Sequence, residues 1–350
     1  MYLILFLVMY QPNPSWVWQS EDLYLPLTSS HVHITPNLDF YVVQYGENTI
    51  RHYNATGKLL TKFGRTGEGP GEFRNLFRVF FRSNKIFTYD VTSNAISTFD
   101  SDGIHLERRA LTSDQTDPMK VANGWVNGNW NQYQYDPDGT AQVFWSDTTM
   151  AEAQPIFKVR GRGTHGTFVN DGVTSVYSPI SATAKMAVNP RGTRVFVADA
   201  NGFRIRVIDP ASKKVIRTIK REEKSLAFNP DWADIRLNQV KRDMPKIKFK
   251  TNYPEYFPII RRIFVNHKGW LIADKWTRTP HLSHDPIVLD EFGREVPTEV
   301  DYELLIRWVG DDGEMAYLTT YDDDRQLAGL VKVPHKDALA FVRANPFPQD

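Results

Sequence analysis

Short runs of alternating or continuous apolar residues, about five long and separated by tight turns, dominate the chain and predict antiparallel strands. The clearest example follows residues 63–73 (Phe-Gly-Arg-Thr-Gly-Glu-Gly-Pro-Gly-Glu-Phe). Four glycines and a proline there forfeit too much backbone entropy and too many donors for a helix or a strand interior, so the stretch is a connection. Beyond it, residues 76–81 form an apolar run, 85–90 alternate, 95–99 form a third strand, and Asp100-Ser101-Asp102-Gly103 is a tight turn. Strands joined in this way make a small meander.

The same unit recurs. Upstream, strands are predicted at 31–35, 39–45, 49–54 and 58–63 around the turn Asn54-Ala55-Thr56-Gly57, and Gly57 and Gly103 lie 46 residues apart. A period of that size is expected of four-stranded propeller blades. Downstream, 184–192 leads into 194–199, 203–209 and 214–219, and Asp199 takes the strand-ending position of Asp90. The 109 residues between these aspartates leave room for one intervening blade at 116–160, with strands at 121–126 and 143–145 around Asp136-Pro137-Asp138-Gly139. A fifth blade spans 256–296, with Asp274 as the third strand-ending aspartate. A sixth shows only three strands, at 303–308, 315–321 and 327–333. Residues 22–28, an isolated strand, would fill that vacancy and remove an open edge.

The predicted fold is therefore all-β, a six-bladed β-propeller of four-stranded antiparallel blades closed by an N-terminal strand in the last blade. A short helical insertion separates blades 4 and 5, at about 222–255. It begins at Asn229-Pro230, a cap and a first-turn proline, and stops before Pro245. The expected domains are an apolar N-terminal segment with linker (1–21), one propeller (22–335) and a tail (336–350) with a short helix.

Residues 67–103 resemble an NHL repeat. The resemblance rests on Gly69-Pro70-Gly71-Glu72-Phe73, the strand at 76–81, Asp90, Asn94 and Asp102-Gly103, with Leu76-Phe77 where a proline is usual. It implies a propeller and says little about activity. Enzymes of this architecture gather ligands at the channel mouth: a glutamate with several asparagines or aspartates for a calcium-dependent hydrolase, or several histidines around zinc for a lyase similar to the peptide-amidating enzymes.

Composition adds limits. Aromatic residues make up 13% of the 350, with nine tryptophans, as suits pleated surfaces. The formal charge of +1 gives no global field toward nucleic acid. Local charge is segregated. Residues 204–262 hold sixteen Lys or Arg against seven acids, and 285–324 hold thirteen acids against two arginines. With no cysteine, disulfides, thiolate metal sites and a cysteine nucleophile are excluded. Met1-Tyr2-Leu3-Ile4-Leu5-Phe6-Leu7-Val8-Met9-Tyr10 is too short to span a bilayer as a helix. It reads as an atypical signal peptide, an anchor or strap docked in a partner's groove, or a buried strand, and Trp16 and Trp18 beyond it would suit a membrane interface.

Candidate chemistry is sparse. His281-x-x-His284 with Asp285 adjacent has a composition that could bind zinc, which wants a third protein ligand and an open position, or is an ordinary polar loop, and His31-x-His33 shares one strand face without an identifiable third ligand. Asp90, Asp199 and Asp274 recur once per blade, which argues for turn carboxylates accepting backbone N–H bonds rather than for a catalytic ring. Lys246, Lys248 and Lys250 alternate with apolar residues. They either protect an exposed edge or dock an acidic partner or anionic lipid heads. The aromatic group Trp125, Trp130, Tyr133, Tyr135 and Trp145 reads as inter-blade packing or as a ligand-stacking surface. Asn54-Ala55-Thr56 fits a glycosylation sequon in a blade turn. No nucleophile elbow, phosphate loop or EF-hand spacing is present. The sequence thus points to a non-catalytic, extracytoplasmic binding or scaffolding subunit with no cofactor, its partner a protein or membrane-bound assembly. The alternatives are a metal-dependent hydrolase or lyase at the channel mouth and a small-molecule or glycan binder.

Overall fold

The computed structural model describes residues 15–20, 31–112, 115, 118–128, 140–160, 174–177, 184–200, 202–243, 245–246, 248–251, 255–277, 285–296, 301–322 and 327–345. The fold is a six-bladed β-propeller of antiparallel sheets, the last blade including an N-terminal strand. The chain gathers into two compact units, one of residues 1–64 with 299–350 and one of residues 65–298.

The first unit holds blades 1 and 6. Blade 1 runs Val32–Ile34, Phe40–Gln44, Thr49–Tyr53 and Leu59–Phe63. In its predicted turn Asn54 Oδ1 accepts the N–H groups of Thr56 and Lys58 at 3.1 and 2.9 Å. Blade 6 comprises Trp308–Asp311, Met315–Asp322, Leu327–Pro334 and Ser15–Ser20 in that order. The closing strand is thus Ser15–Ser20, which pairs antiparallel with Leu327–Pro334. Residues 22–28, expected in that role, lie outside the described residues, as do Met1 to Tyr10. A bulge at Val17 shifts the register between Trp16 and Trp18. It sends the two rings to opposite faces, since neighbouring residues of a strand face opposite ways and a bulge resets that order. Trp18 is buried against Phe40 and Tyr53, with ring centroids 6.1 and 5.1 Å away, while Trp16 stays 40% exposed over Gly329.

The segment 303–308, expected as a strand, is mostly the helix Tyr302–Arg307, and the strand begins only at Trp308. Asp301 overrides the strand reading by capping the helix, its Oδ1 accepting Glu303 N–H at 3.0 Å. The fully buried Arg307 fixes this helix, donating to Thr319 O (2.8 Å), Thr320 Oγ1 (3.2 Å) and Asn345 O (2.5 Å). Burial draws its guanidinium down to about 10. The tail forms the expected short helix, Ala338–Ala344, packed through Phe341 and Val342 on blade 6.

The second unit holds blades 2 to 5. Blade 2 is Leu76–Arg82, Lys85–Asp90, Ala95–Asp100 and His105–Ala110. Blade 3 is Met119–Val121, Gly124–Gly128, Thr140–Ser146 and Ala153–Arg160. The expected single strand at 121–126 is in fact a hairpin turning at Ala122-Asn123, and Gly124 is required there, because a Cβ would lie 2.2 Å from Ser146 O. Blade 4 is Lys185–Val188, Val195–Ala198, Phe203–Asp209 and Lys214–Arg221. Blade 5 has three strands among the described residues, Ile260–Val265, Leu271–Lys275 and Asp285–Leu289. Blade faces bury one another: Val121, Val143 and Trp145 pack against Met186, Val195 and Val197, and Phe196 and Ile205 against Leu271 and Ile287. Because each sheet is too small to bury both faces alone, this mutual burial supplies the core.

The insertion forms the helix Pro230–Asp243, with Asn229 Oδ1 accepting Asp231 N–H at 3.0 Å. Its two arms meet in a bridge between Ala227 and Tyr256. The lysine row is not an unpaired edge on both sides, since Lys248–Thr251 pairs in parallel with Thr174–Tyr177. Among the described residues no helix is long and apolar enough to cross a membrane.

Candidate functional site

The strand-ending aspartates are all buried, at 2% (Asp90), 3% (Asp199) and 0% (Asp274) exposure. Asp90 accepts N–H bonds from Arg74 (2.7 Å), Thr92 (3.0 Å) and Ser93 (3.0 Å), with Arg108 at 3.8 Å. Burial pushes its carboxyl up, but the amides of Ser93 and Arg74 outweigh that and hold it below the usual range. At the other two positions guanidinium groups of neighbouring strands face the carboxylate. Asp199 meets Arg206 and Arg204, and Asp274 meets Arg262 at 3.4 Å and Arg261 at 3.9 Å. The backbone-amide role expected of all three is seen at Asp90, and Asp199 and Asp274 face arginines.

The glycine-rich loop is likewise built around one carboxylate. Glu72 Oε2 accepts Gly69 N–H at 2.8 Å and its Oε1 takes Arg65 Nε at 2.6 Å, so the Gly69 amide first and Arg65 second lower its carboxyl. Pro70 and Gly71 carry the chain around it. Gly71 has φ +75°, and any Cβ would meet the Phe99 and His105 side chains. Phe73, fully buried, packs on Phe99.

A recess of about 260 Å³ opens at the base of the insertion, between Leu226, Phe257, Ile259 and Trp276. Phe257 and Trp276 stack at 4.9 Å. Across from them Lys275 Nζ lies 3.1 Å from Glu223 and 3.0 Å from Asp285. Burial pulls this ammonium down, yet hydrogen bonds to Asp285 and Glu223 prevail and hold it above the ordinary lysine range. Asp285, the candidate metal ligand, is thus already engaged by an ammonium, which competes with a metal for the same oxygens. His281 and His284 lie outside the described residues. Among the described residues no three His, Asp or Glu come together in a geometry that could hold a metal ion.

Of the aromatic group in blade 3, Trp125 and Trp145 are buried, Trp125 edge-on to Phe80 and Phe87, so these two belong to the packing between blades. Trp130, Tyr133 and Tyr135 lie outside the described residues. Trp18, offered for a membrane interface, is core. Trp125 also covers Lys120, a 5%-exposed lysine whose Nζ sits 5.0 Å from the Phe87 and Trp125 rings and 3.1 Å from Gly124 O. Burial, with Arg82 next, draws it down to about 8.

The second unit also carries a set of exposed cations. Lys246 and Lys248 are exposed, and Lys250 stands opposite Val176 in the parallel pair. With Lys241 and Arg242 at the end of the helix, and Lys214, Arg217 and Lys220 on the fourth strand of blade 4, Lys246 and Lys248 have no ion-pair partner among the described residues. Sequence reading found the lysine row through its alternation. It missed Glu223, Phe257, Lys275 and Trp276, because they converge from segments spread over 53 residues of sequence and share no motif.

A family profile described as a 6-bladed beta-propeller matches residues 31–164, which span blades 1 to 3. No curated protein matches the chain in sequence. Among solved structures, a candidate exported protein of Bacteroides fragilis superposes at a TM-score of 0.50 with 12% identity, covering 92% of this chain and 94% of that one. A luciferin-regenerating enzyme superposes at 0.45 with 10% identity, covering 93% and 95%. At 12% identity the likeness to the first of these concerns the fold alone.

Proposed function

We propose that this protein is a non-catalytic, extracytoplasmic propeller with NHL-type blades, a binding or scaffolding subunit that docks an acidic protein partner, with a membrane-bound assembly as its setting. One contrast carries the reading. The second unit's buried aspartates are faced by backbone amides and arginines, while seven exposed Lys and Arg side chains at 214–220 and 241–248 have no ionic partner among the described residues. Exposed unpaired cations contribute little to folding, and they steer and orient an anionic surface. The apolar stretch Met1 to Tyr10 supports the extracytoplasmic, membrane-proximal setting.

The test is affinity capture of tagged protein from its native envelope fraction, identifying the partners retained at low salt and released at high salt. Wild type is compared with Lys241→Glu/Lys246→Glu/Lys248→Glu and with a deletion of residues 1–10. Partners that are acidic and lost from the charge-reversed protein support the reading. Partners retained equally by all three proteins refute both the cationic surface and the strap. A second reading, a small-molecule or glycan binder, is favoured by the Phe257–Trp276 wall of the recess, and it predicts that Trp276→Ala abolishes a ligand-induced thermal shift that charge reversal leaves intact.

A further inference from the structure

The sheet of blade 4 ends at Lys214–Arg221, whose far edge has no strand beside it among the described residues. An edge strand presents a row of backbone donors and acceptors, and such rows are usually blunted by shortness, proline or charge. The fourth strands of blades 1 to 3 differ. Leu59–Phe63 is five residues long and its Lys62 faces Glu47 at 3.9 Å. His105–Ala110 carries Glu107, and its Arg108 is held by Glu72 O and Ser93 Oγ. Ala153–Arg160 contains Pro155. Lys214–Arg221 is eight residues long, with no proline and no acid, and it exposes Val215 and Ile216.

Its charges are also distributed unevenly. Arg221 is bound by Glu295, and Lys213 in the turn before the strand is spent on Gln154 (3.0 Å) and the Trp145 ring (3.6 Å). Lys214, Arg217 and Lys220 have no such partner among the described residues. Ile216 is the bulged residue, because Val215 and Arg217 face the adjacent Ile208 and Val207. The regular run is therefore Arg217–Arg221, with cations at both ends. Lysines alone would be edge protection, but a long, β-branched, proline-free edge with unbalanced cations of both types is complementary to an extended acidic chain.

We infer that Lys214–Arg221 is a strand-addition site, at which an extended acidic segment of a protein partner pairs with the free edge as a fifth strand of blade 4. This rests on the proposed docking of an acidic partner and adds its place and geometry. Main-chain hydrogen bonds supply the affinity. The three cations select acidic side chains, and Val215 and Ile216 receive an apolar one.

The test uses the full chain and a synthetic peptide of alternating Glu and Val, with an isomer of the same composition that carries a central D-residue as control. Binding is followed by titration and by amide hydrogen exchange. The expected result is slowed exchange confined to 214–221 with the alternating peptide only, and an affinity loss of about tenfold or more in Lys214→Glu/Arg217→Glu/Lys220→Glu. Binding that is charge-dependent but leaves those amides unprotected overturns strand addition while the acidic-partner reading stands. Absence of binding to wild type, with envelope partners still lost on charge reversal at 241–248, overturns this site alone, and loss of neither removes both. Concentration-dependent self-association that protects 214–221 without peptide overturns the inference in favour of a second copy as occupant.

Discussion

Replacing Trp18 by alanine tests the closure of blade 6 by the N-terminal strand. The indole is 8% exposed, in contact with Phe40 and Tyr53 and clustered with Ala328, Leu330 and Tyr321. Truncating a buried tryptophan costs about 3–5 kcal/mol, a figure that includes the two ring pairs. Trp16, 40% exposed on the other face, should cost about 1–2 kcal/mol by the area it buries. The difference of about 3 kcal/mol is a factor of about a hundred in the opening equilibrium. Two-state unfolding holds for single domains under about 150 residues, so in a chain of 350 local opening is the better readout. Amide exchange at 15–20 and 328–332 should accelerate about a hundredfold more in Trp18→Ala than in Trp16→Ala. Equal acceleration in the two variants would refute the bulge at Val17 and the burial it creates. Unchanged exchange in both would mean that Ser15–Ser20 contributes nothing to blade 6.

Three further outcomes follow from the same structure. Asp90→Asn should cost about 2–3 kcal/mol at neutral pH, since charge-assisted bonds are lost from a buried site. The folded carboxyl sits below the ordinary value of about 4, so Asp90 contributes its stability above that value, and the gap to the variant should close as pH falls through it. Lys120 has the opposite sign. Its folded value of about 8 lies below the ordinary value of about 10.4, so the unfolded chain binds more protons between the two, and wild type should gain stability relative to Lys120→Met as pH rises across that window in chemical denaturation. Gly329→Ala places a Cβ 2.5 Å from Trp18 O and 2.6 Å from the Trp16 ring, and should destabilise by about 1–3 kcal/mol with selective deprotection of 15–20.

Much of the fold was legible because its units are local. The turns at Gly57 and Gly103, the strand-ending Asp90, Asp199 and Asp274, and the Asn229-Pro230 helix start are each decided within a few residues. Where two local signals compete, the pattern misleads. Residues 303–308 carry a short apolar run that reads as a strand, yet the Asp301 cap and the buried anchoring of Arg307 favour a helix. Residues 22–28 draw the closing role because they read as an isolated strand with no hairpin partner beside it. Ser15–Ser20 hides its pattern behind the bulge at Val17, which breaks the period of two. The lysine row was visible, but its parallel partner Thr174–Tyr177 lies too far away in sequence to anticipate. The recess was invisible for a related reason. Glu223, Phe257, Lys275 and Asp285 converge only once the arms of the insertion have zipped at Ala227 and Tyr256.

The most direct test of the docking surface is site-specific photo-crosslinking in the native envelope, with the probe placed in turn at Lys220, at Lys246, at Trp276 in the recess and at Lys62 in the first unit. The account predicts adducts to an acidic protein from Lys220 and Lys246 that fade at high ionic strength. Adducts confined to Trp276 or Lys62, or adducts indifferent to salt, would contradict it.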